Sequence, residues 1–346
     1  MARKRGSRGK RQRAQQRAQY DELDKYPVLP PHAFARVVRD RQTLNIIYQI
    51  IEPPMTKKEQ EYRDEIMDIF IRSLTANIEE IDANPEAYIR TAMDKVIKSY
   101  GMKINKKSKS KIFYYLRRDL IGYGQMDVLM NDANVEDISC DGTNVPIFAY
   151  HRKFESVETT CVWPNDDLLE SYVIKLAQRC GKHISVADPL LDATLMDGSR
   201  IVMKLGHEVS TRGSSFCIRR FKDDPFSPAD IIAFRTMSSL MVAYLWIAFQ
   251  NEVPMLFVGG TASGKTTTLN AMCIFIPWQM KIVSIESTRE VNIPQPNWVP
   301  GLTRQGFGGE STEGVIGEFE LLKAALRERP EYIIVGEIRG AEAYVL

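Results

Sequence analysis

Gly259-Gly260-Thr261-Ala262-Ser263-Gly264-Lys265-Thr266 fills every fixed position of the pattern GxxxxGK[ST]. An apolar run at 255–258 that predicts a strand precedes it, and a pattern over 267–275 that predicts a helix follows it; this setting is the one the motif requires. Gly259 and Gly264 let the main chain close on phosphate oxygens with no Cβ in the way. The successive backbone N–H groups of Gly259, Gly260, Thr261, Ala262, Ser263, Gly264, Lys265, Thr266 and Thr267, with the start of the helix, favour anionic oxygen. Lys265 is expected to neutralise the β- and γ-phosphates, and the Thr266 hydroxyl to ligate Mg²⁺, so the ligands predicted are ATP and Mg²⁺. The plain alternative is a glycine turn that joins strand to helix and binds nothing. The complete match and both flanks weigh against it.

Phosphoryl transfer also needs an acid for the metal and a group that orients water. Ile333-Ile334-Val335-Gly336-Glu337 ends an apolar run in an acid about seventy residues downstream of the loop. Acids at such strand ends face the crevice where α/β sheets take ligands, so Glu337 is the candidate metal-side acid. Ile282-Val283-Ser284-Ile285-Glu286 has the same form, and Glu286 is the candidate for polarising the attacking water. Either could be an ordinary strand-end acid. Arg289, Arg304 and Arg339 follow these strands, while Arg200, Arg219 and Arg220 lie upstream. Each is open to two readings, a clamp on the transferring group or a surface ion pair. The four histidines show no ligand spacing, and five cysteines without a CxxC pair point to a reducing cytosol rather than to zinc or a disulfide framework.

Outward from the loop, the longest uncharged run covers 236–251. It is shorter than the ~20 residues of a membrane span and predicts a buried core helix. Residues 223–235, with Asp223-Asp224-Pro225-Phe226-Ser227-Pro228, predict an interdomain linker. Apolar strands alternating with helices after it imply a parallel sheet, so 236–346 is expected to be a RecA-like P-loop domain, incomplete at its C-terminal side. Residues 26–222 predict an α+β domain. In it, helices are expected over 57–74, from Pro85 toward Tyr100 and over 168–181, and a Lys/Ser-rich linker at 103–111. Strands are expected at 135–140, 146–150, 156–163 and 215–221, with a hairpin turn at Asp197-Gly198. The fold class expected is thus α/β, an α+β domain followed by a P-loop domain. Residues 1–25 predict a disordered basic tail: 1–20 carry eight Lys or Arg and no acid, on a chain whose formal net charge is only +2. The tail is either a solubilising extension or a contact for an anionic surface.

The stretches at 259–267, Ser-Ile-Glu-Ser-Thr-Arg-Glu at 284–290 and Leu-Leu-Lys-Ala-Ala-Leu-Arg-Glu-Arg-Pro-Glu-Tyr-Ile-Ile-Val-Gly-Glu-Ile-Arg-Gly at 321–340 together resemble the type II/IV secretion ATPase superfamily. The archaeal branch is nearest, with its archaellum motor and pilus assembly ATPases. Segments upstream, including Val135-Glu136-Asp137-Ile138-Ser139-Cys140-Asp141-Gly142, Asp197-Gly198-Ser199-Arg200 and Ile218-Arg219-Arg220-Phe221, resemble that family's N-terminal domain. The resemblance implies a homo-oligomer, a hexameric ring at the cytoplasmic face of a membrane, working on an integral membrane platform protein, with ATP in the C-terminal domain. It places Glu286 on the acid of the family's Asp box, Glu337 on its Walker B acid, and Arg200 and Arg219 on arginines that reach toward nucleotide. The Asp box usually reads Glu-Asp-Thr; Ser287 stands where the Asp is expected. The family's His box would lie beyond Leu346. Two other readings stay open, a catalytically silent nucleotide-binding module and a nucleic-acid-associated motor of the conjugation type. A nucleic acid partner is not the expectation. Gly306-Phe307-Gly308 leans the reading toward the archaellum.

Overall fold

Alternating apolar residues separated by turn signals build the first half of the chain as an extended, mostly antiparallel sheet. The structure is a computed structural model that describes residues 19–73, 84–221, 225–260, 263–304 and 316–338. Its contacts group into two units, one drawn from Met1–Leu176 and Val202–Arg220, the other from Ala177–Ile201 and Phe221–Leu346.

Nine strands follow one another as β1 (Tyr20–Leu29), β2 (Ala33–Asp40), β3 (Ile46–Ile51), β4 (Val135–Cys140), β5 (Pro146–His151), β6 (Glu155–Val162), β7 (Leu190–Thr194), β8 (Arg200–Lys204) and β9 (Ser215–Arg219). Their order in the sheet is β1-β2-β3-β6-β5-β4-β9-β8-β7. β1 corrects the expectation of a disordered tail over 1–25, since residues 20–25 form the start of this strand. The acids that give this stretch its polar look have basic partners elsewhere in the chain: Arg36 on β2 pairs with Glu22 at 2.6 Å and Lys153, in the turn after β5, with Asp24 at 3.1 Å. Tyr26 then anchors β1 inward. Its hydroxyl and that of Tyr48 both donate to Oδ2 of the buried Asp132 at 2.6 Å, and Nε2 of the buried His151 lies 3.0 Å from the Tyr26 hydroxyl. Residues 1–18 of the expected tail lie outside the described residues.

Three helices pack together in this unit, α1 (Lys57–Ser73), α2 (Pro85–Ser99) and α3 (Lys106–Leu120). Ile66, Phe70, Ile89, Met93, Ile112 and Leu116 form their shared core. α3 overturns the linker expected at 103–111. Asn105 caps it by accepting from the Ser108 N–H at 2.8 Å; Lys106 and Lys107 are exposed, Lys111 pairs with the buried Glu59 at 3.2 Å, and Ile112, Tyr114, Tyr115 and Leu116 turn inward. A short α4 (Asp127–Asn131) follows, and α5 (Asp166–Arg179) ends as expected at Gly181, whose positive φ of 66° goes with a bond from the Lys182 N–H to the Ala177 carbonyl at 3.0 Å.

The second unit holds α6 (Pro228–Ala233), α7 (Ser239–Gln250), α8 (Lys265–Cys273), β10 (Ile282–Glu286), β11 (Trp298–Leu302), α9 (Glu318–Arg327) and β12 (Tyr332–Val335). Half of the expected linker at 223–235 is therefore helix. Ser227 and Asp230 form a capping box around Pro228, a start signal outweighed in the sequence reading by the two prolines. The three strands are parallel in the order β11-β10-β12, as a strand–helix alternation requires. Val242, Phe249, Ala271, Met272, Cys273, Ile282, Val291 and Ile334 are among the buried residues of its core.

Two expectations change here. The run at 255–258 is not a strand: it is hydrogen-bonded into neither sheet of the described residues. It keeps a strand's alternation: Met255 and Phe257 pack on the core, while Leu256 is 74% and Val258 82% exposed. The uncharged helix α7 is not buried all round either. Val242, Ala248 and Phe249 are inside, but Leu240, Tyr244 and Ile247 face out.

Candidate functional site

Gly264 opens α8 in the left-handed region, φ 86°, where a residue with a Cβ is strained. The Thr268 N–H reaches the Gly264 carbonyl at 2.9 Å, so helical bonding starts inside the motif and the first amides of α8 have no intrahelical acceptor. Gly259 is required for a different reason. A Cβ there would stand 2.6 Å from the Ser263 hydroxyl, which donates to the Gly260 carbonyl at 2.8 Å. Lys265 Nζ donates to the carbonyls of Gly259 at 3.1 Å and Gly260 at 2.7 Å, holding its charge at the mouth of the loop. Met237, Phe257, Val258, Gly259, Ser263, Gly264, Lys265 and Thr268 line a cleft of about 270 Å³ at this point. Thr261 and Ala262 lie outside the described residues; Thr266 and Thr267 stand in the first turn of α8.

The two acids end adjacent parallel strands. Ile285 on β10 is in register with Val335 on β12, and the Gly336 N–H donates to the Ile285 carbonyl at 2.9 Å, which brings Glu337 beside the residues after β10. Glu286 is 2% exposed. Its Oε1 accepts from the N–H groups of Glu290 and Val291, each at 2.8 Å, while its buried Oε2 has no hydrogen-bond partner among the described residues. Burial pushes its pKa up to about 7, against the pull of the two amides and of Arg289. A fixed carboxyl with one buried free oxygen and a pKa near neutrality suits a group that accepts a proton or orients water. Gly336 lies against it: a Cβ at this position would come within 3.1 Å of Glu286 Cγ. Glu337 accepts from the Ser287 hydroxyl at 3.1 Å.

The arginines separate into distinct environments. Arg200 forms a two-point pair with Asp192, Nε to Oδ1 at 3.2 Å and Nη2 to Oδ2 at 2.5 Å. That hydrogen bond raises its pKa, burial opposes it, and Glu337 and Glu290 add attraction, so Arg200 lies in the field of the site acids. Arg219 belongs to the first unit, exposed on β9 and paired with Asp137 at 3.1 Å. Arg220 is structural; its Nη1 donates to the carbonyls of Asp132 and Val135. The Arg289 guanidinium stands over the rings of Phe221 and Trp298, 5.8 and 5.3 Å from their centroids. Arg339 and Gly306-Phe307-Gly308 lie outside the described residues. No cluster of metal-ligating His, Cys, Asp or Glu occurs among the described residues, and no helix among them is long and apolar enough to cross a membrane.

Sequence reasoning missed Asn270, which sits on α8 and is bonded to the segment after β10. Its burial shows only in the fold, and no motif or spacing in the sequence marks it.

A GK[ST] loop at the start of a helix, with two strand-end acids on a parallel sheet in the same unit, defines the phosphate-loop class of α/β protein. The chain belongs to the type II/IV secretion system protein family (T2SSE), whose sequence profile matches residues 163–346. The uncharacterized protein MJ0900 of Methanocaldococcus jannaschii is 36% identical over 325 residues, which cover 93% of this chain and 57% of that protein. The type IV secretion system protein VirB11 of Bartonella henselae is 29% identical over 197 residues, 47% of this chain and 54% of its own. Among solved structures, the Legionella pneumophila ATPase DotB aligns over 64% of this chain and 61% of its own at 18% identity, with a TM-score of 0.42. The chain spans about half the length of the curated relatives it matches.

Proposed function

We propose that this chain carries the nucleotide-binding part of an ATP-hydrolysing motor of a secretion or pilus-type machine. The observation that carries the reading is Glu286: a buried carboxyl pinned at one oxygen, free at the other, next to the strand that leads into Glu337, in the unit that holds the GK[ST] loop.

The residues fit a nucleotide triphosphate. The loop amides and the open first turn of α8 would hold the phosphates, in the space a Cβ at Gly259 would disturb. Lys265 would exchange its two carbonyl partners for the β- and γ-phosphates. Mg²⁺, held by the Thr266 hydroxyl and Glu337, would offset charge on the phosphate oxygens. Glu286 orients the attacking water and takes up its proton at Oε2, while Ser287 keeps Glu337 in place through their hydrogen bond. Arg200 and Arg219 are the candidates for contact with nucleotide, by release from Asp192 and Asp137. The working form is a homo-oligomer, a hexameric ring at the cytoplasmic face of a membrane, with an integral membrane platform protein as partner. Membership of the secretion family and the likeness to VirB11 support a secretion or pilus role; an archaellum role rests on Gly306-Phe307-Gly308 alone.

The reading is tested by Glu286→Gln in the full chain. Turnover of ATP falls about 100-fold or more while ATP binding stays within about threefold. Equal turnover in the two proteins rejects the assignment.

A further inference from the structure

Asn270 and Glu286 grip one short segment, Glu290 to Asn292, and share Glu290. Glu286 Oε1 takes the N–H groups of Glu290 and Val291. Asn270 takes what those bonds leave over: its Nδ2 donates to the Glu290 carbonyl at 2.9 Å and its Oδ1 accepts from the Asn292 N–H at 3.1 Å. Glu290 is exposed and Asn292 half-buried, but Asn270 is 8% exposed, Glu286 2% and Val291 0%, so the side-chain ends of these bonds sit in a largely desolvated place. There, loss of one partner strands a desolvated group, and geometry is held accordingly.

The placement of Asn270 gives the grip its meaning. It lies on α8, the helix whose first residues are Lys265 and Thr266, a little over one turn beyond them. A second fastening holds the same segment to the other end of α8: Gln295 Nε2 donates to the carbonyls of Cys273 at 2.9 Å and Ile276 at 3.1 Å. Residues 290–295 are thus stitched along α8 by two buried amides. Only the Asn270 end touches the residues that fix Glu286.

We infer that Asn270 is a positioning residue for Glu286: through the backbone of 290–292 it ties the carboxyl to the helix that begins at the phosphate loop. Loop and carboxyl then shift together when α8 moves, and the distance between phosphate and water-orienting group is preserved. The catalytic half of this inference rests on the ATPase reading above. The structural half does not.

The test compares the full-length chain with Asn270→Ala, Asn270→Asp and Gln295→Met. Amide hydrogen exchange at residues 290–292 is read in the absence of nucleotide, alongside nucleotide affinity, kcat and KM. In N270A the amides of 290–292 exchange about tenfold faster or more, while those of Ile282–Ile285 keep their protection. kcat falls about 10- to 100-fold with KM and nucleotide Kd within about threefold, the mark of a misplaced catalytic group rather than a lost binding site. N270D keeps an acceptor for Asn292 and loses the donor to Glu290, and falls between; it stands in for N270A should that variant not fold. Q295M loses its two bonds and some thermal stability, yet 290–292 stay protected. Unchanged exchange at 290–292 in N270A and N270D overturns the inference whatever the nucleotide assays give. Faster exchange with an unchanged kcat overturns its catalytic half. A wild-type chain that neither binds nor hydrolyses ATP defeats the motor reading instead, and the exchange data still decide the link between Asn270 and Glu286.

Discussion

The Ser287 hydroxyl donates a 3.1 Å hydrogen bond to Oε1 of Glu337, joining the residue after β10 to the acid after β12. Related sequences are expected to carry an Asp at the place of Ser287. A hydroxyl supplies a donor where a carboxylate would add a second negative charge. Ser287→Ala removes that donor from Glu337. The loss is about 0.5–1.5 kcal/mol, a two- to tenfold fall in kcat/KM for MgATP, with Ser287→Thr near wild type. Steady-state kinetics of the two variants across Mg²⁺ concentrations check it, and equal kinetics in S287A and wild type would remove the role assigned to this bond.

Gly259→Ala puts a methyl 2.6 Å from the Ser263 hydroxyl, and its next neighbours, Ser263 Cβ and Lys265 Cγ, are at 3.5 and 3.6 Å. The obstacle is therefore one oxygen atom. G259A is expected to weaken nucleotide binding about tenfold or more, and the double variant G259A/S263A to recover most of it, a coupling visible in a double-mutant cycle. Additive losses in that cycle would show that the loop clashes elsewhere.

The Glu286 pKa, raised by burial to about 7, predicts two pH effects of defined sign. Below about pH 4.5 the group is protonated whether the chain is folded or not. Between there and pH 7 the folded state holds the proton more tightly, so this group's contribution to stability falls as pH rises, by on the order of 3 kcal/mol, and levels off above. Turnover runs the other way, since a proton acceptor works only when ionised, so kcat rises through about pH 7. Glu286→Gln flattens the stability curve and gains more in Tm at pH 8 than at pH 5. Thermal melts across this range, with a pH–rate profile for the wild type, read both; a wild-type profile flat from pH 6 to 8 would contradict the environment described for this carboxyl.

How far the sequence led depended on where each element's stabilisation lies. The GK[ST] loop, β4 and β12 were legible because local pattern and final environment agree: Val135–Cys140 alternates and is half buried, and Tyr332–Val335 is apolar and lies in a parallel sheet. β1 was not, because the charges that mask its alternation are compensated by Arg36 and Lys153, which only tertiary pairing brings near. α3 was hidden in the same way, its lysine-rich face read as a linker while Asn105 supplied the cap. Residues 255–258 failed in the opposite sense, since a good strand pattern forms no strand without a hydrogen-bonding neighbour. At the site, motif and strand ends pointed to Lys265, Glu286 and Glu337, but single buried polar residues such as Asn270 carry no spacing that distinguishes them before the chain is folded.

Whether the GK[ST] loop holds nucleotide is decided by equilibrium binding of ATP to the chain, wild type against Lys265→Ala. Saturable binding by the wild type is expected to weaken about 100-fold in the variant, whose melting temperature stays near wild type because the hydrogen bonds of Lys265 among the described residues go to exposed loop carbonyls. ATP bound with equal affinity by both proteins would contradict this expectation.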